Sequence, residues 1–468
     1  MEIFRYSGPQ FNPYDDGANG EIVGDDDGPW AAPVATGPLN ARLQIPGSKS
    51  LTNRELVLSA LADEPSRLRA PLHSRDTALM VQALRSLGVG IAEEQGTGAY
   101  GPDLVVTPGP LEGGTSIDCG LAGTVMRFLP PLAALALGPV TFDGDPSARR
   151  RPMRTTVQAL RALGVDVNDD GRGTLPFSLY GTGAVEGGEL EIDASSSSQF
   201  VSALLMVAPR FERGLVLRHT GDSLPSIAHI DMTIAALAER GVTVETPEPG
   251  TWVVPHAPIR ARDVSIEPDL SNAAPFLAAA LVAGGSVTIE NWPEHTTQVG
   301  GEVPGILERM GGRSSFTQTG HGAGDLTVTG SGRIAGLDLD NASELAPTIA
   351  AVAALADSPT RLTGIAHLRG HETDRLAALA TEINGLGGAV TETDDGLEIS
   401  PAPLHGGPWR SYEDHRMATA GAILGLAVDG VLVDDIATTA KTLPQFPELW
   451  LGPLLGRTPA AVDPLSLL

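Results

Sequence analysis

Six times along this chain, a short polar cluster opens a stretch rich in Ala and Leu. Gly47-Ser-Lys-Ser-Leu-Thr-Asn-Arg54 leads into 55–62, Gly120-Leu-Ala-Gly-Thr124 into 126–137, and Ser195-Ser-Ser-Ser-Gln-Phe200 into 201–207. Asp269-Leu-Ser-Asn272, Asn341-Ala-Ser-Glu344 and Tyr412-Glu-Asp-His-Arg416 open the other three. Successive starts lie roughly 70–76 residues apart, well beyond the period of a stacked solenoid. A second helical pattern follows in the first five units and ends alike: Val81-Gln-Ala-Leu-Arg-Ser-Leu-Gly-Val89 matches Val157-Gln-Ala-Leu-Arg-Ala-Leu-Gly-Val165, and 234–242, 306–311 and 376–387 keep the form. Apolar residues recur at i, i+3 and i+4, and Gly then stops the helix. Short β-type segments come next, as at 104–107, 242–245 and 326–329. The unit reads as strand, helix, strand, helix, strand or close to it. The sixth copy is shortened and ends in 444–455.

Six copies divide into two groups of three, with 43–46 and 258–268 as strand-like crossings between them. The expected α/β organisation is a first domain over 47–259, a second over 38–46 plus 260–455, and a tail over 456–468. Residues 1–37, rich in Gly, Pro and Asp, read as an acidic, poorly ordered leader. Aromatics are only 4% of the chain, so the core packs small side chains. Cys119 is the single cysteine, which excludes a disulfide framework and a thiolate-rich metal site and fits a reducing cytoplasm. No apolar run reaches transmembrane length. The net charge of −26 argues against nucleic-acid or anionic-membrane partners. Any anion site is then a local concentration of cations.

The helix starts supply one. Ser and Thr there are ordinary caps, but Lys49, Arg54, Arg127 and Arg416 lie at or inside N-terminal turns, where the helix dipole disfavours a cation. Of 31 basic residues only Lys49 and Lys441 are lysines, and Lys, unlike Arg, gives up a proton. The run 149–151 is either a solvated patch or an anion clamp. Around Glu372 and Arg375, and around Asp414 and Arg416, the choice lies between surface ion pairs and carboxylates held in a cationic pocket for proton transfer.

Taken together, Pro46-Gly-Ser-Lys-Ser50 with Asn53 and Arg54, Gly120-Leu-Ala-Gly-Thr-Val-Met-Arg127, Ser197-Ser-Gln199, Glu372-Thr-Asp-Arg375, Asp414-His-Arg416 and Ala440-Lys441-Thr442 resemble the 5-enolpyruvylshikimate-3-phosphate synthase family, in that family's order. The resemblance runs from about residue 39 to 447. It implies a two-domain inside-out α/β barrel, each domain of three βαβαββ units with pseudo-threefold symmetry, and helix starts facing an interdomain cleft. It implies enolpyruvyl transfer from phosphoenolpyruvate to shikimate 3-phosphate in the shikimate pathway, by a monomer that needs neither metal nor organic cofactor. By the same resemblance, Lys49 touches both substrates and transfers protons. Ser50, Arg54, Ser197, Ser198, Gln199, Ser226 and the position of His371 surround shikimate 3-phosphate. Gly123, Thr124, Arg151, Gln199, Arg375, Arg416 and Lys441 hold phosphoenolpyruvate. Glu344 is the acid/base group near the 5-hydroxyl, and Glu372 acts at the methylene carbon.

The chain departs from the commonest family pattern at Leu121 (usually Asn), Glu344 (Asp), His367 (Asn), His371 (Lys) and Phe128 (Pro). A histidine at 371 carries the expectation of pH-dependent binding near neutrality. Two rivals have other signatures. The sister transferase acting on UDP-N-acetylglucosamine relies on a mobile-loop cysteine, and a noncatalytic repeat scaffold has no use for carboxylates and lysine gathered at helix starts.

Overall fold

The computed structural model describes residues 28–96 and 98–457. Six buried helices open the six units: α1 (Lys49–Ala60), α3 (Gly123–Ala133), α5 (Gln199–Val207), α7 (Leu270–Ala283), α9 (Ala346–Ala353) and α11 (His415–Gly425). An outer helix follows in the first five: α2 (Arg75–Ser86), α4 (Arg154–Ala162), α6 (Ile227–Glu239), α8 (Val303–Arg309) and α10 (Arg375–Gly385). Gly88, Gly164, Gly241, Gly311 and Gly387, the five expected stops, all have positive φ, the left-handed turn that glycine enters without a Cβ penalty.

Each complete unit makes one four-stranded sheet. In the second unit Thr115–Asp118 runs parallel to Leu137–Asp143, which pairs antiparallel with Phe177–Thr182, itself antiparallel to Asp166–Asn168. The third and fifth units repeat this order. This is the expected βαβαββ unit. The first and fourth exchange their leading strands. Leu39–Leu43 lies parallel to Gly285–Pro293 in the fourth unit's sheet, and Asp263–Ser265 lies parallel to Ser66–Arg69 in the first unit's sheet. The crossings touch through an antiparallel bridge between Gly47 and Pro268. Only part of each is strand; the rest, including 44–48, is extended coil. The segment 260–265, grouped by sequence with the second domain, therefore gives its strand to a sheet of the first half.

The buried apolar residues form two cores. One gathers side chains from 56–259, the other those from 32–45 and 270–454. Small and branched aliphatic residues, Ala and Leu above all, dominate both, so the inner helices are buried almost all round.

The reading of 1–37 as a poorly ordered leader is corrected at its C-terminal end; residues 1–27 lie outside the described residues. Trp30 and Ala31 pair antiparallel with Val433 and Leu432, and the Ala32 amide donates to the Val431 carbonyl at 2.9 Å. The sixth unit has only Gly407–Trp409 and Val431–Val433 as its own strands. Residues 30–31 occupy the position that the returning strand fills elsewhere, so this early segment completes the shortened last repeat. Of the tail, 456–457 are described, and Arg457 donates to the Val34 carbonyl at 2.7 Å.

Candidate active site

The starts of the inner helices converge between the halves, because parallel leading strands point each following helix N-terminus the same way. Ser48 caps α1 through the Leu51 amide, and the Lys49 amide donates to Asp269 Oδ2 of the other half at 3.0 Å. Lys49 Nζ lies 3.4 Å from Asp76 Oδ2, at the start of α2. Asp414 caps α11 while binding Arg375 through both oxygens, at 2.7 and 3.2 Å. That pair is fully buried and fixes the Arg375 fork. Arg375 also reaches Glu372 Oε2 at 3.1 Å, and Lys441 Nζ contacts Glu372 Oε1.

Glu372 is thus sealed among cations. Burial alone raises a carboxyl's pKa, but Lys441, Arg151 and Arg375 overcome it and hold Glu372 well below the usual carboxylate range. Burial pushes Lys441 down, opposed by Glu372. Lys49 and Asp76 are among the charges that Lys441 feels, so the chain's two lysines face one centre. Glu344 forms a second one. It accepts from His229 Nε2 at 2.7 Å and from Ser271 Oγ at 2.9 Å, with Arg416 at 3.8 Å. Burial opposes its ionisation, yet His229 and Arg416 bring it well below the ordinary value.

Around Gly123, at the start of α3, a third feature appears. A Cβ built there meets guanidinium nitrogens of Arg127 and Arg151 at 3.1 Å each and Gln199 Oε1 at 3.2 Å. The Nε atoms of both arginines and Gln199 Oε1 are buried without a hydrogen-bond partner, as are both ring nitrogens of His415. Buried polar atoms left unpaired are costly. At Gly123 the two guanidinium groups crowd a bare backbone and leave donors free, a recess of positive charge.

The expected residues come together with differences of detail. Arg151 is buried beside Gly123 and donates to the Leu121 carbonyl at 3.2 Å, whereas Arg149 pairs with Asp143 on the surface; the run 149–151 is therefore not one solvated patch. Arg54 is buried between α1 and α6, bonded to the Ser50 and His229 carbonyls at 2.9 Å and to Thr233 at 2.8 Å. Desolvation lowers its pKa to about 10. Ser226 Oγ meets Ser343 Oγ at 3.0 Å across the halves and His367 Nε2 at 3.5 Å. Ser197 Oγ accepts from the Gln199 amide at 3.2 Å, and Ser198 is buried at the α5 start. The pH expectation for His371 is corrected: burial, then Arg375, push its pKa well below the ordinary value, and desolvation takes His367 to about 4. Both rings are neutral near pH 7. Cys119 is fully buried with its thiol pushed far up by burial, unlike a loop nucleophile. Among the described residues no helix is long and apolar enough to cross a membrane, and no group of three or more His, Cys, Asp or Glu is arranged to hold a metal ion.

Sequence reasoning missed Asp76, His229, Asp269, Ser271 and His415 as members of the site. Asp269, Ser271 and His415 stand inside helix starts that the repeats single out, where they look like ordinary caps; Asp76 and His229 look like polar helix surface.

Two similar sets of repeats that exchange leading strands, with lysines, arginines and two carboxylates between them, define an α/β transferase of the enolpyruvyl transferase fold. Solved structures share that fold. EPSP synthase from Acinetobacter baumannii has TM-score 0.73 and 23% identity, covering 91% of this chain and 98% of that one. The enolpyruvyl transferase NikO from Streptomyces tendae has TM-score 0.68 and 17% identity, over 89% and 95%. The family model described as EPSP synthase (3-phosphoshikimate 1-carboxyvinyltransferase) matches residues 34–450, and the chain belongs to that family. A 3-phosphoshikimate 1-carboxyvinyltransferase from Kocuria rhizophila is 57% identical over 429 residues, 90% of this chain and 95% of that protein.

Proposed function

We propose that this enzyme moves the enolpyruvyl group of phosphoenolpyruvate onto the 5-hydroxyl of shikimate 3-phosphate and releases phosphate, in the shikimate route to chorismate and aromatic amino acids. The observation that carries the reading is the pair of largely enclosed carboxylates in one cleft, Glu344 beside Arg416 and Glu372 between Arg375 and Lys441. Both substrates are polyanions, and planar arginine forks match their phosphates and carboxylates. Arg151, Arg375, Arg416, Lys441, Gln199 and the backbone at Gly123 and Thr124 hold phosphoenolpyruvate. Ser50, Ser197, Ser198, Gln199, Ser226 and His371 hold shikimate 3-phosphate, while Arg54 braces α1 against α6 and adds charge. Lys49 serves both.

In the addition step the 5-hydroxyl loses its proton to Glu344 as its oxygen bonds C2, and Lys49 gives a proton to the methylene carbon. In the elimination step Glu372, ionised at rest, takes a proton from that carbon as the C2–phosphate bond breaks. Glu372 then returns its proton to Lys49, and Glu344 gives its proton to the departing phosphate. A division of the chain into two three-repeat domains, a monomeric state and a cytoplasmic setting belong to the same reading.

Phosphate release is the test. It should require both substrates together, and release with UDP-N-acetylglucosamine as the only acceptor would refute the reading. Lys49→Arg keeps the charge but loses the proton donor, and should lower kcat by about 10²–10⁴. Near-normal turnover in that variant would remove Lys49 from the proton path.

A further inference from the structure

Glu344 is held from the opposite half of the molecule. Its Oε2 accepts from His229 Nε2, and its Oε1 from Ser271 within its own half. His229 sits in the first turn of α6, three residues after Ser226, which is forced to φ 51. On the other side, Asn341 and Ser343 have φ 55 and 48. Non-glycine residues in this region cost about 1–3 kcal/mol each and persist where the surroundings over-determine them. Here two strained turns meet head-on, through Ser226 with Ser343 and His229 with Glu344. The His229 carbonyl is fixed as well, accepting from Arg54 at 2.9 Å, Thr233 at 3.0 Å and Ser202 at 3.2 Å. The ring thus stands on an anchored backbone. The ionisable groups around the pair are Arg416 from α11, 3.8 Å from Glu344, Lys49 and Arg54 from α1, Asp269 at the start of α7, Arg375 from α10 and His367 from the turn before α10.

We propose that His229 is a positioning residue for the reaction: by reaching across the cleft to Glu344, it aims that carboxylate at the 5-hydroxyl only when the halves are together. This rests on the assignment of Glu344 as the hydroxyl's base. The base is assembled by closure, so an open molecule presents a carboxylate held on one oxygen only and poorly aimed. His229 moves no proton itself. Losing it removes a partner of the charged form, which raises the pKa of a desolvated carboxylate.

The test compares His229→Ala with His229→Gln, whose amide N–H falls near the lost Nε2 donor. His229→Ala should lower kcat by about 10²-fold, the scale of a misplaced catalytic group. It should also shift the acidic limb of the kcat–pH profile to higher pH, with KM for phosphoenolpyruvate changed less than about threefold. His229→Gln should restore most of kcat and return the limb toward its original position. A kcat within twofold of the parent for His229→Ala overturns the proposal. So does a loss confined to KM for shikimate 3-phosphate with an unmoved limb, or a loss that Gln does not rescue while both variants melt like the parent. Failure of the functional assignment would look different, because the unmodified enzyme would then release no phosphate from the two substrates.

Discussion

Gly123 shows how narrow the site is at the level of one residue. Its backbone is not in the left-handed region, so alanine brings no strain there, but the methyl would enter a cradle whose arginine and glutamine atoms stand 3.1–3.2 Å away. Gly123→Ala should fold normally and raise KM for phosphoenolpyruvate by about tenfold or more, since a lost charged contact is worth roughly 1.5–3 kcal/mol. KM for shikimate 3-phosphate should move far less; equal rises in steady-state kinetics would place the cradle elsewhere. At this scale the sequence was legible where charge broke a local rule, as at Lys49 and Arg416. It was silent where the local reading already sufficed. Asp269 is a good N-cap for α7 and His229 an unremarked polar residue on α6, and only folding brings the one to the Lys49 amide and the other to Glu344. The histidine at 371 misled because neutrality depends on burial and on Arg375, and a composition conveys neither.

Among the elements, the two-residue strand at Trp30–Ala31 has consequences beyond its length. A Cβ on Gly425 of α11 would lie 2.3 Å from the Ala32 Cβ, so strand and helix are in close contact. Ala32→Asp would bury a carboxylate against that helix, costing about 3 kcal/mol or more for an unpaired buried charge. Its melting temperature should fall by several degrees, and kcat should fall with it, because α11 carries His415 and Arg416. An unchanged melt would show that the strand is not docked in solution. Helices and their glycine stops were readable because their signals are local and recur five times. This strand was not, since two residues have no periodicity and their partner lies about four hundred positions away.

For the molecule as a whole, the histidines and carboxylates of the site act in one direction. His367, His371 and His415 have lowered pKa values, so the unfolded chain binds their protons more readily than the folded one. Stability from them is present above the unfolded value of about 6.5 and drains away as pH falls below it. Glu344 and Glu372, also lowered, keep their contribution down to about pH 4.3 and lose it below. Thermal melts should therefore decline between pH 7 and pH 5, ahead of any carboxylate effect; a flat profile over that interval would mean that folding does not hold the three rings neutral. The two-group architecture was legible in the repeats, but the identity of the leading strands was not, because exchange leaves the repeat pattern intact.

That exchange sets a timetable for a chain emerging from the ribosome. Ser66–Arg69 must wait for Asp263–Ser265, about 200 residues later, and Trp30–Ala31 for Val431–Val433. At about 5–20 residues per second, the first wait lasts roughly 10–40 s and the second roughly 20–80 s. Throughout, the nascent first half carries an open sheet edge, which invites pairing with other chains. A product cut short before residue 263 would keep that edge for good, leaving it to chaperones and proteases even with three of its six repeats nearly complete.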